Sequence, residues 1–277
     1  MRVLSWNLYH GRDFPPDPAL FTWRSRLFRR TELGATHAQV NRPLLHEFAQ
    51  VLDGLEGWDV ALLQEAPPRW FRELCQRTRS SGVRVLTSRN WLPPLQRRLA
   101  DLNPDLLASS DGGSNQILVR HPGRIVDHNR LTLAWKREQR RMHWARVVLP
   151  GSGGTVCVAN LHASACLPEL AGAEVVRAAK CALEWSAGDP LVFGGDLNLC
   201  PARTPQPFAA LRDLGLAEPT APDAIDHLLV RGFQVEKPPR RLAAERRELP
   251  GPDGRRIRLS DHAPVSADLG TPGGKLR

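Results

Sequence analysis

The sequence predicts a layered α/β protein with mixed sheets. Short apolar, β-branched runs outnumber helical segments. Two clear amphipathic helices, at 37–55 and 167–185, stand between groups of these runs, as expected where helices cover sheet faces. Polar residues capable of chemistry follow apolar runs at five separate places. No internal repeat and no linker divides the chain. Residues 1–269 are therefore expected to form a single domain and 270–277 (GTPGGKLR) a flexible C-terminal tail.

The elements follow in order. Residues 2–8 (RVLSWNL) read as a strand that stops at His10-Gly11, and 12–36 as a loop with a short helix. Val40, Leu44, Leu45, Phe48, Val51, Leu52 and Leu55 recur at three- and four-residue spacing, with Pro43 in a first turn that tolerates it. DVALL (59–63) is a short buried strand, followed by a helix at 69–79, a strand at 83–87 and an irregular or weakly helical stretch at 90–112. Strands at 115–120, 124–133, 143–149 and 155–161 come next, the last two joined by Pro150-Gly151-Ser152-Gly153-Gly154. That glycine cluster is not a phosphate loop, because a strand follows it and no Gly-Lys-Ser/Thr does. After the helix at 167–185 the pattern gives strands at 190–194, 224–230 and 263–269, with a short helix at 205–214.

Composition bounds the function classes. The 277 residues are 42% hydrophobic and 24% charged, which excludes a collagenous, fibrous or mostly disordered chain. There is no run of 18 uncharged apolar residues and no secretory signal in MRVLSWNLYHG, so a soluble cytoplasmic protein without membrane attachment is expected. The five cysteines form no C-x-x-C pair and read as reduced small apolar residues. The net charge is +9, and all but four of the 38 basic residues are arginine. Phosphate recognition and a GC-rich coding bias explain that balance equally well.

The polar groups at the strand ends are Trp6-Asn7, Gln64-Glu65, Asn160-Leu161-His162, Gly195-Asp196-Leu197-Asn198 with Ile225-Asp226-His227, and Ser260-Asp261-His262. Several carboxylates, amides and imidazoles on one rim suit metal-assisted attack of water on a phosphodiester. Magnesium prefers oxygen and takes one or two protein carboxylates, so Glu65 is the natural ligand, with Asn7 and Asp261 beside it or joined through water. Asp196 is the candidate base for the attacking water, and the Asn198 amide a donor to a phosphate oxygen. His162 and His262 add groups that titrate near neutrality, and Asp226 is the candidate partner that favours a charged His262. His10, His37, His46, His121, His128 and His143 have no evident partner and read as surface or turn residues. Trp23 lies within Arg24–Arg30, a cluster that suits either a strand-binding groove or a solvated loop. The charge-dense segment 240–258 reads either as a track for a nucleic-acid backbone or as an ordinary arginine-rich hairpin.

This set of motifs resembles the endonuclease/exonuclease/phosphatase superfamily over nearly the whole chain, from Trp6-Asn7 to Ser260-Asp261-His262-Ala263-Pro264-Val265. The resemblance implies a four-layered α/β/β/α sandwich with two mixed β-sheets. It implies a Mg²⁺- or Mn²⁺-dependent phosphodiesterase with the roles given above. It adds Asn115, in GGSNQILVR, and Arg146, in WARVVL, as phosphate-binding residues. His162 resembles the deoxyribonuclease, sphingomyelinase and phosphatase branches, and the short interval from Asn198 to Asp226 speaks against an abasic-site specialist. The expectation is a monomeric nuclease, with DNA favoured over RNA. The alternatives are a phosphoesterase for a small phosphorylated metabolite or lipid head group, and a non-catalytic binding scaffold of the same fold.

Overall fold

A computed structural model describes residues 1–55, 57–87, 92–134, 139–151, 154–165, 167–217 and 219–272. Strand β1 (Arg2–Asn7) leads through a 3₁₀ turn at Tyr9–Gly11 to helix α1 (Trp23–Phe28), the small ladder of β2 (Glu32–Leu33) with β3 (Ala38–Gln39), and helix α2 (Leu45–Gly54). Then come β4 (Val60–Ala66), α3 (Phe71–Arg77), β5 (Ser80–Leu86), α4 (Pro93–Leu102), α5 (Pro104–Leu107) and β6 (Ser114–Arg120). The meander β7 (Arg124–Ala134), β8 (Arg140–Val148) and β9 (Thr155–His162) precedes the long helix α6 (Pro168–Ser186), β10 (Leu191–Asp196), α7 (Pro205–Asp213) and β11 (Asp226–Arg231). The chain closes with β12 (Phe233–Arg241), the hairpin β13 (Glu248–Pro250) with β14 (Arg256–Arg258), and β15 (Val265–Pro272).

Two mixed sheets result. The six-stranded sheet runs β12-β15-β1-β4-β6-β5, with β1 and β4 parallel and β15 antiparallel to β1. The five-stranded sheet runs β11-β10-β9-β8-β7, with β9 and β10 parallel and its other pairs antiparallel. Alternation along each strand sends one set of side chains between the sheets, among them Val3, Val60, Leu62, Val158, Val192 and Leu228. The opposite face of the first sheet packs Leu4, Trp6 and Leu63 against Phe48 and Leu52 of α2. The opposite face of the second packs Ala159, Leu161 and Phe193 against Val175 and Ala178 of α6. Helix, sheet, sheet and helix therefore stack in four layers, the sandwich the motifs implied. No helix among the described residues is long and apolar enough to cross a membrane.

Three local expectations are corrected, and the reading of 90–112 as irregular or weakly helical is narrowed to helix. The helix drawn from 37 starts at Leu45, because Ala38–Gln39 pairs with β2 and the Val40 N–H donates to Asp13 Oδ2 at 2.7 Å. Pro43 precedes that helix and holds Arg42 away from helical backbone. Strand β12 was not read from the sequence, since it carries Pro238-Pro239; it forms an edge of the six-stranded sheet, where missing N–H donors are tolerated. The 90–112 stretch forms helices α4 and α5 from Pro93 onward. Strand β15 continues to Pro272, so 270–272 belong to the sheet and not to a tail; 273–277 lie outside the described residues, as do Trp91, Trp135 and Cys166. The other four cysteines are free thiols.

Candidate active site

The five motifs meet at one rim of the sandwich because both sheets end there. Register carries Asn7 beside Gln64 on β4, and Asp196 beside both His162 on β9 and Asp226 on β11. The two halves are joined directly: Asn7 Nδ2 donates to Asp196 Oδ2 at 2.9 Å. Gly195 is required for this geometry. Its φ is +124°, and an added Cβ would meet the Leu161 carbonyl at 2.0 Å.

The last motif is fastened to the first. Trp6 Nε1 donates to the His262 carbonyl at 3.0 Å, and Ser260 Oγ donates to the Asn7 carbonyl at 2.7 Å. Among the described residues nine non-glycine residues have positive φ, and five of them, Tyr9, His10, Glu65, Asn198 and Ser260, belong to this rim. Such backbone persists where the surroundings over-determine it, as at sites that must hold a fixed geometry.

Asp226 Oδ2 lies 2.7 Å from His262 Nδ1, leaving Nε2 3.8 Å from Asp196 Oδ2 and 3.9 Å from Asp261 Oδ1. Burial opposes the charge on His262, but the hydrogen bond and charge of Asp226, with Asp196 and Asp261, outweigh it and lift the ring to about 10. Burial and the Asp226 charge push Asp196 up to about 7, against the pull of His262 and Asn7. His162 differs from its sequence reading as a group that titrates near neutrality. Its burial, with the charges of Arg140, His262 and His10, holds it well below the ordinary range, so it is neutral. Its Nε2 lies 3.5 Å from Asp196 Oδ2 and 3.9 Å from Glu65 Oε1.

Glu65 sits at an irregularity in the pairing of β4 with β6, with φ +45°, which turns its carboxylate outward from the strand. Asp261 is raised by burial, then lowered by His262 and raised again by the charge of Glu65. Glu65 and Asp261, two carboxylates that repel each other, are the oxygen donors that would suit a hard divalent cation, and the Asn7 amide oxygen, which accepts from the Tyr9 N–H at 2.9 Å, would be a third. A second group, Asp196, Asp226 and His262, brings one ligand atom from each within 4.8 Å. There His262 Nδ1 is already engaged by Asp226, so that group is better suited to handling protons.

Other residues are placed differently from their sequence reading. Arg146 is directed away from the rim: it pairs with Asp189 and donates to the Trp185 carbonyl beside α6. It faces Cys157, five positions and roughly 16 Å along β9 from His162. The Asn115 amide donates to the Arg141 carbonyl at 2.8 Å and its buried Oδ1 has no hydrogen-bond partner, so it ties β6 to β8 without offering a donor to phosphate. Asn198 holds the loop, its N–H on Asp196 Oδ1 at 3.1 Å and its amide on the Ala163 carbonyl at 3.0 Å. Gln64 and Asn160 are interior: Gln64 Nε2 donates to Asn160 Oδ1 at 2.7 Å across the sheets.

Four residues of the rim, Tyr9, His10, Arg12 and Arg140, were missed by sequence reasoning. His10 curls back in left-handed backbone, and its Nε2 lies 3.3 Å from Glu65 Oε2; the signal was the His-Gly pair directly after Asn7. His37 is not a surface residue either, since its Nε2 is 3.0 Å from buried Glu248 Oε1. Arg140, buried at the start of β8, has its charge close enough to His162 to lower that ring's pKa. Tyr9 and Arg12, in the turn after Asn7, flank Asp261. In segment 240–258 Arg256 and Arg258 are bound to Glu248, Arg241 to Asp223, and Arg247 to the Leu259 and Ser260 carbonyls. Those arginines build the hairpin and its junction with the last motif.

No family model and no curated protein matches the sequence significantly. Solved structures do match. A mannosyl-6-phosphatase from Bacteroides thetaiotaomicron superposes with a TM-score of 0.66 at 17% identity, covering 98% of this chain and 99% of that one. An endonuclease/exonuclease/phosphatase structure from Bacteroides vulgatus gives 0.65 at 18% identity, with 98% of each chain covered. The human Nocturnin catalytic domain, which holds a sulfate anion, gives 0.58 at 16% identity, over 98% of this chain and 94% of that one. The chain has the fold of the endonuclease/exonuclease/phosphatase superfamily.

Proposed function

We propose that the protein is a divalent-metal-dependent phosphoester hydrolase that attacks a phosphodiester with water. The observation that carries this reading is the convergence of Asn7, Asp196, Asp226 and His262 through contacts of 2.9, 3.8 and 2.7 Å at one end of the two sheets. Glu65, Asp261 and the Asn7 amide oxygen would hold the cation. Mg²⁺ or Mn²⁺ bound there supplies polarisation of the phosphorus centre and stabilisation of the developing negative charge.

The chain's own residues do the rest. Asp196, raised by burial and by Asp226, accepts a proton from water at neutral pH. Asn7 fixes its carboxylate, and neutral His162 keeps a ring nitrogen beside it. His262, held charged by Asp226, presents Nε2–H to a phosphate oxygen as charge builds on it.

For the substrate we favour nucleic acid, DNA before RNA. Helix α1 exposes Trp23, Arg24 and Phe28, and the two residues after it, Arg29 and Arg30, are exposed as well. Its Arg26 donates to the Asp105 carbonyl beside Tyr9 and Arg12, so the helix flanks the rim. Arginine beside exposed aromatic rings suits a single strand. A small phosphorylated metabolite is the second reading, supported by a half-open cavity of about 210 Å³ lined by Tyr9 and Arg12 next to the site. The larger cavity, about 980 Å³ between α6 and α7, contains none of the site residues.

The test is a substrate panel of plasmid, linear duplex, single-stranded DNA, RNA, inositol phosphate and sugar phosphate, each with Mg²⁺ or Mn²⁺ and with EDTA. Cleavage that needs the metal and is lost in Asp196→Ala and His262→Ala supports the reading. Absence of any metal-dependent phosphoester cleavage overturns it.

A further inference from the structure

Helix α6 buries one face against the second sheet. Between Pro168 and Trp185 that buried face carries one polar side chain, Glu174, 5% exposed among Ala171, Val175, Ala178, Ala179 and Ala182. A carboxylate in such a stripe is costly unless its oxygens are hydrogen-bonded. Both are: Oε2 accepts from the Ser164 N–H at 2.8 Å and Oε1 from the Ser164 hydroxyl at 2.9 Å. Apolar packing alone would not place an acid here, and the residue it grips lies two positions past His162, where β9 has ended.

The peptide unit that joins Ala163 to Ser164 is held at both ends. Its N–H is on Glu174, and its carbonyl oxygen, that of Ala163, accepts from Asn198 Nδ2 at 3.0 Å. A trans peptide is planar, with N–H and C=O pointing in opposite directions, so anchoring the N–H on α6 aims the carbonyl at Asn198. A charged acceptor on the N–H also polarises the peptide and strengthens its carbonyl as an acceptor in turn. The Asn198 N–H then donates to Asp196 Oδ1 at 3.1 Å. Asn198 has φ +51°, left-handed backbone that persists only where its surroundings fix it. On the same short segment the Ala163 N–H donates to the Asp196 carbonyl at 2.9 Å.

We propose that Glu174 is a positioning residue of the rim: through the Ala163–Ser164 peptide it fixes the Asn198 amide and the loop that carries Asp196. The proposal rests on the phosphoester-hydrolase reading, in which Asp196 acts on water. Glu174 acts through Ser164 and Asn198 and not on the substrate.

The test compares Glu174→Ala and Glu174→Gln with the unsubstituted full chain by steady-state kinetics, thermal unfolding and amide hydrogen exchange followed by NMR. In Glu174→Ala the Ser164 N–H loses its acceptor, and kcat should fall about 10- to 10²-fold with little change in KM, the scale of a small misplacement in a preorganised site. Glu174→Gln keeps an amide oxygen for that N–H and should restore most of kcat. Exchange reads the geometry without turnover. The Asn198 backbone N–H should exchange about tenfold faster in Glu174→Ala, while the Val158 N–H in mid-β9 keeps its rate. Should Glu174→Ala not fold, Glu174→Asp, which withdraws the carboxylate by one methylene and keeps its charge, gives the same reading. A Glu174→Ala protein with altered unfolding temperature but unchanged kcat and unchanged Asn198 exchange overturns the proposal, and so does a fall in kcat with Asn198 exchange unchanged. If Asn198 exchange accelerates while the unsubstituted protein cleaves no phosphoester with Mg²⁺ or Mn²⁺, the clamp stands and the hydrolase reading falls.

Discussion

Asn7 and Asp196, 189 residues apart and on different sheets, share a hydrogen bond of 2.9 Å from amide to carboxylate. That contact links the two sheets at the rim and opposes the burial that raises Asp196. Asn7→Ala should therefore leave a folded protein with kcat reduced about 10²-fold, the scale of losing one preorganised donor. Steady-state kinetics with circular dichroism on the same sample checks it.

The pH profile should be bell-shaped. Activity needs Asp196 ionised and His262 charged, so it rises through about pH 7 and falls through about pH 10. In Asp226→Asn both limbs should move to lower pH. His262 loses the carboxylate that raises it, and Asp196 loses the charge that repels its own. An alkaline limb that stays in place in this variant would remove Asp226 from its role. The check is kcat/KM against pH at saturating Mg²⁺.

Two arginines on β8 should separate stability from chemistry. Arg146→Ala removes the charged partner of Asp189, which keeps the Thr155 hydroxyl, and the donor to the Trp185 carbonyl, and should cost about 1–3 kcal/mol of stability, with kcat unchanged. Arg140→Ala removes a charge beside His162 and should lower kcat. Denaturant unfolding and turnover, measured on both variants, decide between them.

Asp13 sets a pH dependence of folding. Burial raises its carboxyl from 3.8 to about 8, so the folded state binds this proton more tightly than the unfolded chain. Its contribution to stability is then greatest below about pH 4 and declines as pH rises towards about 8. Asp13→Asn should flatten that part of the stability curve, visible as a smaller fall in Tm between pH 5 and pH 8.

Glu65→Gln should weaken the proposed metal site without disturbing the fold, because Glu65 sits at a rim bulge and its neighbours of opposite charge among the described residues are His10 and His162. Titration calorimetry with Mn²⁺ should show a reduced affinity for the metal, and activity should require more Mn²⁺ to saturate.

The order of elements was largely legible because apolar periodicity reports which face of a strand or helix is buried. Where another rule governed the backbone, the pattern misled. Residues 37–44 look helical in spacing, yet their backbone groups are taken by β2 and by Asp13. Strand β12 was hidden by its prolines, which an edge accepts and a central strand does not. The five polar motifs were legible as strand-end clusters, but period-two alternation then sorts each cluster. It sends Leu161 towards α6 and both Asn160 and His162 to the opposite face, where Asn160 lies deeper and meets Gln64 while His162, at the strand end, reaches Asp196.

The sequence by itself determined the alternation of apolar runs that makes two sheets and two helical layers, and the residue types needed for metal-assisted phosphoester chemistry. Only the tertiary structure decided which of those residues act together. Arg146 turned to Asp189, His10 joined Glu65, His162 became neutral, and Arg256 and Arg258 turned to Glu248 in their own hairpin. The reason is physical: a side chain's partners and its solvation depend on strand register and on which sheet face it occupies, and both are fixed by contacts between residues far apart in the chain.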